Sequence, residues 1–155
     1  AADFLMGEKD FMIQALAEAR AAKTRGEVPV GAVLVEAATG AVLARASNRV
    51  EELSDPTAHA EVLVIREAAA ALSDTRLPQC DLYVTLEPCA LCASAIAFAR
   101  LRKVVFGAYD PKGGGVEHGP RIFNQSTIHH APEVIGGVME RECAALLQVF
   151  FAERR

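Results

Sequence analysis

The sequence predicts one α/β domain built on a mixed sheet. Three observations carry this: apolar residues recur at helical spacing in four segments, short apolar or β-branched runs fall between them, and the first two runs are separated only by a short turn. Helices interleaved with strands imply a sheet covered by helices, and the hairpin makes that sheet mixed instead of wholly parallel. A length of 155 residues with 52% hydrophobic content suits one compact core and is short for two ordinary domains.

Residues 9–25 place Phe11, Met12, Ala15, Leu16, Ala19 and Ala22 at helical spacing, and Gly26 is a natural stop. Residues 28–36 and 41–46 read as two strands turned by Ala38-Thr39-Gly40. A loop is expected over 48–56. Residues 59–72 then carry Val62, Ile65, Ala68, Ala69 and Leu72 on one helical face. Residues 82–86 read as a short buried strand, and Pro88 sits where a first helical turn tolerates it, ahead of Leu91, Ala95, Ile96 and Ala99. Residues 103–108 form the next expected strand, followed by a glycine-rich loop and an irregular stretch over 110–132. A weak strand is expected over 133–138. The closing helix, 139–151, runs into a tail with Arg154 and Arg155, where cations suit a helix C-terminus.

The longest apolar runs, 30–35 and 90–99, fall well short of the roughly 20 residues that a bilayer span needs, so no membrane segment is expected. The start lacks the basic residues and long apolar core of a secretory signal. Met6 is a candidate native start, which would make residues 1–5 an added or disordered lead. Four cysteines are too few for a disulfide scaffold, and a reducing, cytoplasmic setting fits them best. Cys80 and Cys143 fall in apolar patterns and read as buried thiols without chemistry. A net charge of −4 argues against nonspecific coating of nucleic acid, which relies on many Lys and Arg contacts to phosphates. It leaves room for a local basic rim, with Arg100, Arg102, Lys103, Lys112, Arg121, Arg154 and Arg155 as candidates.

The chemistry concentrates in His59, Glu61, Cys89 and Cys92. Catalytic zinc takes three protein ligands from nitrogen and sulfur donors and keeps a fourth position for water, so His59, Cys89 and Cys92 make a complete set for one ion. Two cysteines with two residues between them at a helix start project to one side, and the positive helix end favours thiolates. Glu61 lies two residues beyond His59 and can approach the fourth position without binding the metal, which suits proton transfer. The pattern H-x-E followed by P-C-x-x-C matches the signature of zinc nucleobase deaminases. Zinc lowers the pKa of its water from 15.7 to about 7, and attack on an amino-bearing ring carbon would yield ammonia and a carbonyl. A closed, purely structural zinc site would need a fourth protein ligand; His118, His129 and His130 are the candidates, but a second Cys-x-x-Cys is missing. Outside that reading, His129 and His130 belong to the surface or to local hydrogen bonds. The glycines at 113, 114 and 115 lack the Gly-Lys-Ser/Thr order of a phosphate loop and read as a tight turn. Asn48 offers an amide to either a base edge or a turn.

With their flanks, these residues resemble the bacterial tRNA-specific adenosine deaminase family over almost the whole chain. The flanks are Glu27-Val28-Pro29-Val30-Gly31-Ala32-Val33, Asn48-Arg49, Asp55-Pro56-Thr57-Ala58, Leu82-Tyr83-Val84-Thr85-Leu86-Glu87, Gly107-Ala108, Asp110-Pro111-Lys112-Gly113-Gly114 and Phe150-Phe151. The resemblance implies a single zinc-dependent deaminase domain over 1–155 with the cytidine deaminase-like fold, a three-layer α/β/α arrangement around a mixed five-stranded sheet. It implies conversion of adenosine to inosine at the wobble position of the tRNA anticodon, with the anticodon stem-loop as partner and one Zn2+ per subunit. It also implies a homodimer whose second subunit helps shape the RNA groove. Position by position, His59, Cys89 and Cys92 would bind zinc, Glu61 would shuttle protons and Asn48 would contact the target base. The Ala60 N–H would meet the base edge, while Asp110, Lys112 and Phe151 would lie near the RNA. The chain departs from many family members after Gly115, reading Val116-Glu117-His118-Gly119-Pro120-Arg121-Ile122-Phe123 where they have Gly-Ser-Leu-Met. That departure bears on the loop's RNA contacts and makes His118 part of an altered surface. Two other functions compete: a deaminase of free nucleobases or nucleosides such as guanine or cytosine, using the same zinc chemistry, and a noncatalytic zinc or RNA-binding subunit, against which Glu61 stands.

Overall fold

A computed structural model describes residues 7–154; the reading of residues 1–5 as a lead, of Met6 as the start and of Arg155 as a rim cation lies outside the described residues. The strands are β1 (Gly31–Glu36), β2 (Val42–Ser47), β3 (Cys80–Leu86), β4 (Lys103–Ala108) and β5 (Glu133–Ile135). They form one sheet in the order β2-β1-β3-β4-β5. β1 is antiparallel to β2 and to β3, whereas β3, β4 and β5 run parallel, so the expected mixed five-stranded sheet and its opening hairpin are present.

Side-chain alternation along the strands divides the core into two layers. Ala32 and Leu34 of β1, Leu82 and Val84 of β3, and Val104 and Phe106 of β4 pack with Ala60, Val64 and Ala68 of α3 (Ala60–Leu72) and with Ala93 and Ile96 of α4 (Ala90–Ala99). On the other face Val33, Val35, Tyr83 and Val105 meet Phe11, Met12, Ala15 and Leu16 of α1 (Glu8–Thr24) and Cys143 of α5 (Glu140–Ala152). The central strands therefore read as nearly continuous apolar runs, broken within β3 by Asp81 and Thr85, because both of their faces are covered. Each large side chain buried there contributes roughly 1.5–3 kcal/mol, which fixes the strand ends that carry the site.

The differences from the sequence reading have local causes. β1 starts at Gly31 instead of residue 28, because Pro29 has no N–H to give and the Val30 N–H closes a tight turn onto the Val28 carbonyl at 2.8 Å. The expected loop over 48–56 contains a helical turn, α2 (Val50–Leu53). The N–H groups of its second and third residues, Glu51 and Glu52, donate to the two oxygens of the Glu27 carboxylate at 3.1 and 2.8 Å. A cap supplied from that far along the chain leaves no local signature. Pro88 lies outside α4, whose N-cap is Cys89. The irregular stretch over 110–132 holds a single 3-10 turn (Ile122–Asn124), and the last strand ends at Ile135, just before Gly136 and Gly137.

Three of the candidate rim cations serve the fold. Arg102 makes a two-pronged pair with buried Asp81 at 2.9 and 2.6 Å, Lys103 joins Glu8 at 3.0 Å, and Arg100 turns back onto the Ala97 and Phe98 carbonyls at the end of α4. Cys80 and Cys143 are buried as expected, and burial pushes the Cys143 thiol up to about 12. Among the described residues no helix is long and apolar enough to cross a membrane.

Candidate active site

Two helix N-termini meet beside the carboxyl end of β3. His59 is the N-cap of α3 and Cys89 the N-cap of α4, both with extended backbone, while Glu61 and Cys92 sit within the first turns of those helices. An N-cap side chain turns back over its first turn, so both helices aim their functional groups at one point. Their positive ends favour thiolates and a carboxylate there. Carboxyl ends of parallel strands are also where open α/β sheets bind ligands, and Asp110 follows the end of the neighbouring β4.

His59 Nδ1 lies 3.3 Å from Cys92 Sγ and 3.6 Å from Cys89 Sγ, and the three donor atoms are all within 4.8 Å of one another. Tetrahedral zinc with ordinary Zn–S and Zn–N bonds has a nitrogen–sulfur edge of about 3.6 Å, so the donor set fits the metal in element and in spacing. The donors also interact electrically: the hydrogen bond from Cys92, then that from His59, bring the Cys89 thiol down to about 4 against the opposing effect of burial. Glu61 is buried, and burial lifts its carboxyl from 4.5 to about 7. His59, Glu61 and Cys89 border a cleft of about 930 Å³.

A closed zinc site finds no support. His118 is bound to Glu87, the His130 ring nitrogen sits 2.7 Å from the Leu101 carbonyl, and His129 packs on Phe98; among the described residues only His59, Cys89 and Cys92 form a group that could hold a metal.

Residues 6–108 match the family model of the cytidine and deoxycytidylate deaminase zinc-binding region. A tRNA-specific adenosine deaminase of Agrobacterium fabrum (strain C58 / ATCC 33970) is 59% identical over 145 residues, 94% of each chain. One of Bacillus subtilis (strain 168) is 48% identical over 145 residues, 94% of this chain and 89% of that one. The chain belongs to the tRNA-specific adenosine deaminase family. A solved structure from studies of A-to-I editing by tRNA:A34 deaminases at the wobble position of transfer RNA agrees in fold. It has a TM-score of 0.86 at 59% identity and covers 88% of this chain and 98% of that one. The three-layer arrangement is thus the cytidine deaminase-like fold, and the protein is a zinc-dependent hydrolytic deaminase, not a noncatalytic subunit.

In this tRNA-specific adenosine deaminase family member, every substrate residue expected from the sequence except Ala60 lines the cleft: Asn48, Asp110, Lys112 and Phe151. Ala60 is fully buried, and its N–H, expected at a base edge, instead donates to Asn48 Oδ1 at 2.9 Å. That bond settles which end of the Asn48 amide is oxygen, and it leaves the Nδ2 donor for the cleft. Arg25 supports the same corner, reaching Ser47 Oγ at 2.8 Å and the Asn48 carbonyl at 3.2 Å. Among the rim candidates, Lys112 and Arg154 line the cleft, with the Arg154 guanidinium 3.6 Å above the Phe150 ring.

The sequence reading missed Glu87. Its carboxylate, fully buried between the apolar end of β3 and the start of α4, accepts five hydrogen bonds. Oε1 takes the Asp110 N–H at 3.0 Å and His118 Nδ1 at 2.8 Å; Oε2 takes the N–H groups of Val116, Glu117 and His118 at 3.2, 2.9 and 3.1 Å. Burial works to raise this carboxyl's pKa, and the donors outweigh it and hold the group below its ordinary 4.5. A charge inside an apolar strand-to-helix junction demands donors, which is the signal that could have marked it. The glycines at 113–115 do form a turn, with Gly114 N–H on the Asp110 carbonyl at 2.9 Å. Gly114 and Gly115 also allow close packing: a Cβ on Gly114 would run into Glu87, and one on Gly115 would sit 2.6 Å from the Ala90 nitrogen.

Proposed function

We propose that this chain deaminates adenosine to inosine at the wobble position of a tRNA anticodon. The observation that carries the reading is one juxtaposition: a zinc-competent His-Cys-Cys set and the buried acid Glu61 border a cleft whose rim holds Phe151, Lys112 and Arg154. Bound zinc supplies a water whose pKa is lowered to about 7. Glu61 takes a proton from the attacking water and passes it to the ring nitrogen beside the reacting carbon. As the carbon–nitrogen bond breaks, the second water proton goes to the departing amine. Adenosine and water thus become inosine and ammonia. A buried carboxyl beside the metal site can both accept and return protons, and such shuttling is worth typically about 10²–10⁴-fold.

Asn48 Nδ2 donates to an acceptor on the base, held in register by Ala60. Phe151, 50% exposed, offers a stacking face to a neighbouring base, and Lys112 and Arg154 meet phosphates. A single-stranded loop suits this cleft because its bases can swing out of the stack, which a duplex resists. The working unit is a cytoplasmic homodimer; Leu91 and Phe98, 43% and 61% exposed on α4, are apolar surface that pairing would cover.

The test is inosine formation by the zinc-loaded protein on an anticodon stem-loop with a wobble adenosine, beside free adenosine, adenine, guanine and cytosine. Inosine in the RNA alone is expected. Ammonia from a free base alone would keep the zinc chemistry and replace the substrate.

A further inference from the structure

We propose that His118 and Glu87 form a latch that holds the 110–118 loop against the zinc motif and so positions Asp110, Lys112 and Gly113 on the substrate wall of the cleft. The loop has no helix or strand to hold it, yet its backbone meets the metal-binding segment at three consecutive residues. Glu87 gathers the N–H groups at both ends of the loop, Gly115 N–H donates to the Pro88 carbonyl at 2.8 Å, and Gly115 packs on Cys89 and Ala90. Within this cluster His118 makes the side-chain contact, 2.8 Å from Glu87 Oε1, with its side chain 34% exposed.

The carboxylate accepts hydrogen bonds and, when ionised, donates none. The His118 nitrogen facing it, Nδ1, must therefore carry the proton, and Nε2 is turned away. The ring is fixed on a second side by Tyr109, whose ring meets it edge-on at 6.2 Å and in turn stands edge-on to buried Phe106. The latch thus ties the loop both to the metal-binding segment and to the core of the sheet. His118 touches none of the reacting groups. It is a positioning residue, and its removal should act on substrate binding more than on the chemical step.

This inference rests on the RNA reading above, and two variants test it separately from that reading. His118→Leu removes the donor, whereas His118→Asn can place an amide N–H near the position of Nδ1. Loss of one charge-assisted hydrogen bond predicts, for His118→Leu, about tenfold weaker binding of a labelled anticodon stem-loop and a KM raised by a similar factor. Zinc content and kcat should stay close to those of the parent. Backbone amides of the 114–118 segment should exchange with solvent about tenfold faster, and His118→Asn should recover both binding and protection. The latch is overturned if His118→Leu binds, turns over and exchanges like the parent. It is equally overturned if kcat falls at unchanged KM, or if the asparagine variant recovers nothing. A parent protein that leaves the stem-loop unmodified would defeat the RNA reading alone, because the exchange comparison needs no substrate.

Discussion

On one wall of the cleft, His59, Glu61, Cys89 and Cys92 occupy the N-caps and first turns of two long helices that are clamped to the sheet by Ala60, Val64, Ala93 and Ile96. On the other, Asp110, Lys112 and Gly113 lie on a loop held by a single buried carboxylate and the glycines beside it. The reacting groups inherit their geometry from regular structure, in which a shift of one side chain requires a helix to move. The substrate wall inherits its geometry from hydrogen bonds to Glu87 and can be altered by changing a few loop residues. A departure such as the 116–123 segment can therefore change recognition and leave the chemistry intact.

The sharpest way to break this contrast is Glu61→Gln, which should lower single-turnover inosine formation by about 10³-fold with zinc content and stem-loop binding retained. If binding collapsed as well, the two walls would not be separable.

Glu87→Gln comes next. The amide NH2 would face N–H groups that need an acceptor, so the stability loss should be about 3 kcal/mol by denaturant unfolding. The pH dependence follows in sign. Because Glu87's folded pKa is below its unfolded value, its contribution is complete above about 4.5 and is lost as pH falls through the lower folded value. The acid limb of the melting temperature should thus be shallower in Glu87→Gln than in the parent. Equal limbs would assign the loop's anchoring to something other than this charge.

Phe151→Ala should weaken stem-loop binding by about 1–3 kcal/mol, the range for one lost base stack, with turnover at saturating RNA little changed. The smallest effect belongs to Lys112→Ala, which should reduce the slope of log binding against log salt by about one phosphate contact. An unchanged slope would remove Lys112 from the rim.

The metal set was legible in the sequence because its spacing is local: Cys89 and Cys92 share one helical turn, and His59 and Glu61 share another. The hairpin and the four long helices were legible for the same reason, since period and turn chemistry act over a few residues. Glu87 and Glu27 were not. Each satisfies backbone N–H groups more than 20 residues away, so the glutamate and the segment it organises carry no shared local pattern. The roles of Arg102 and Lys103 likewise emerged only when folding brought Asp81 and Glu8 beside them.

The sequence by itself determined the reaction class, because the choice of ligands and acid is a matter of residue type and short spacing. Only the tertiary structure decided that the Ala60 N–H goes to Asn48, that His118 serves Glu87 and not a metal, and that Lys112 and Arg154 share one cleft. Those outcomes depend on which buried polar groups meet. Burial makes an unpaired donor or acceptor costly, but which partner satisfies it is fixed by the packing of distant segments.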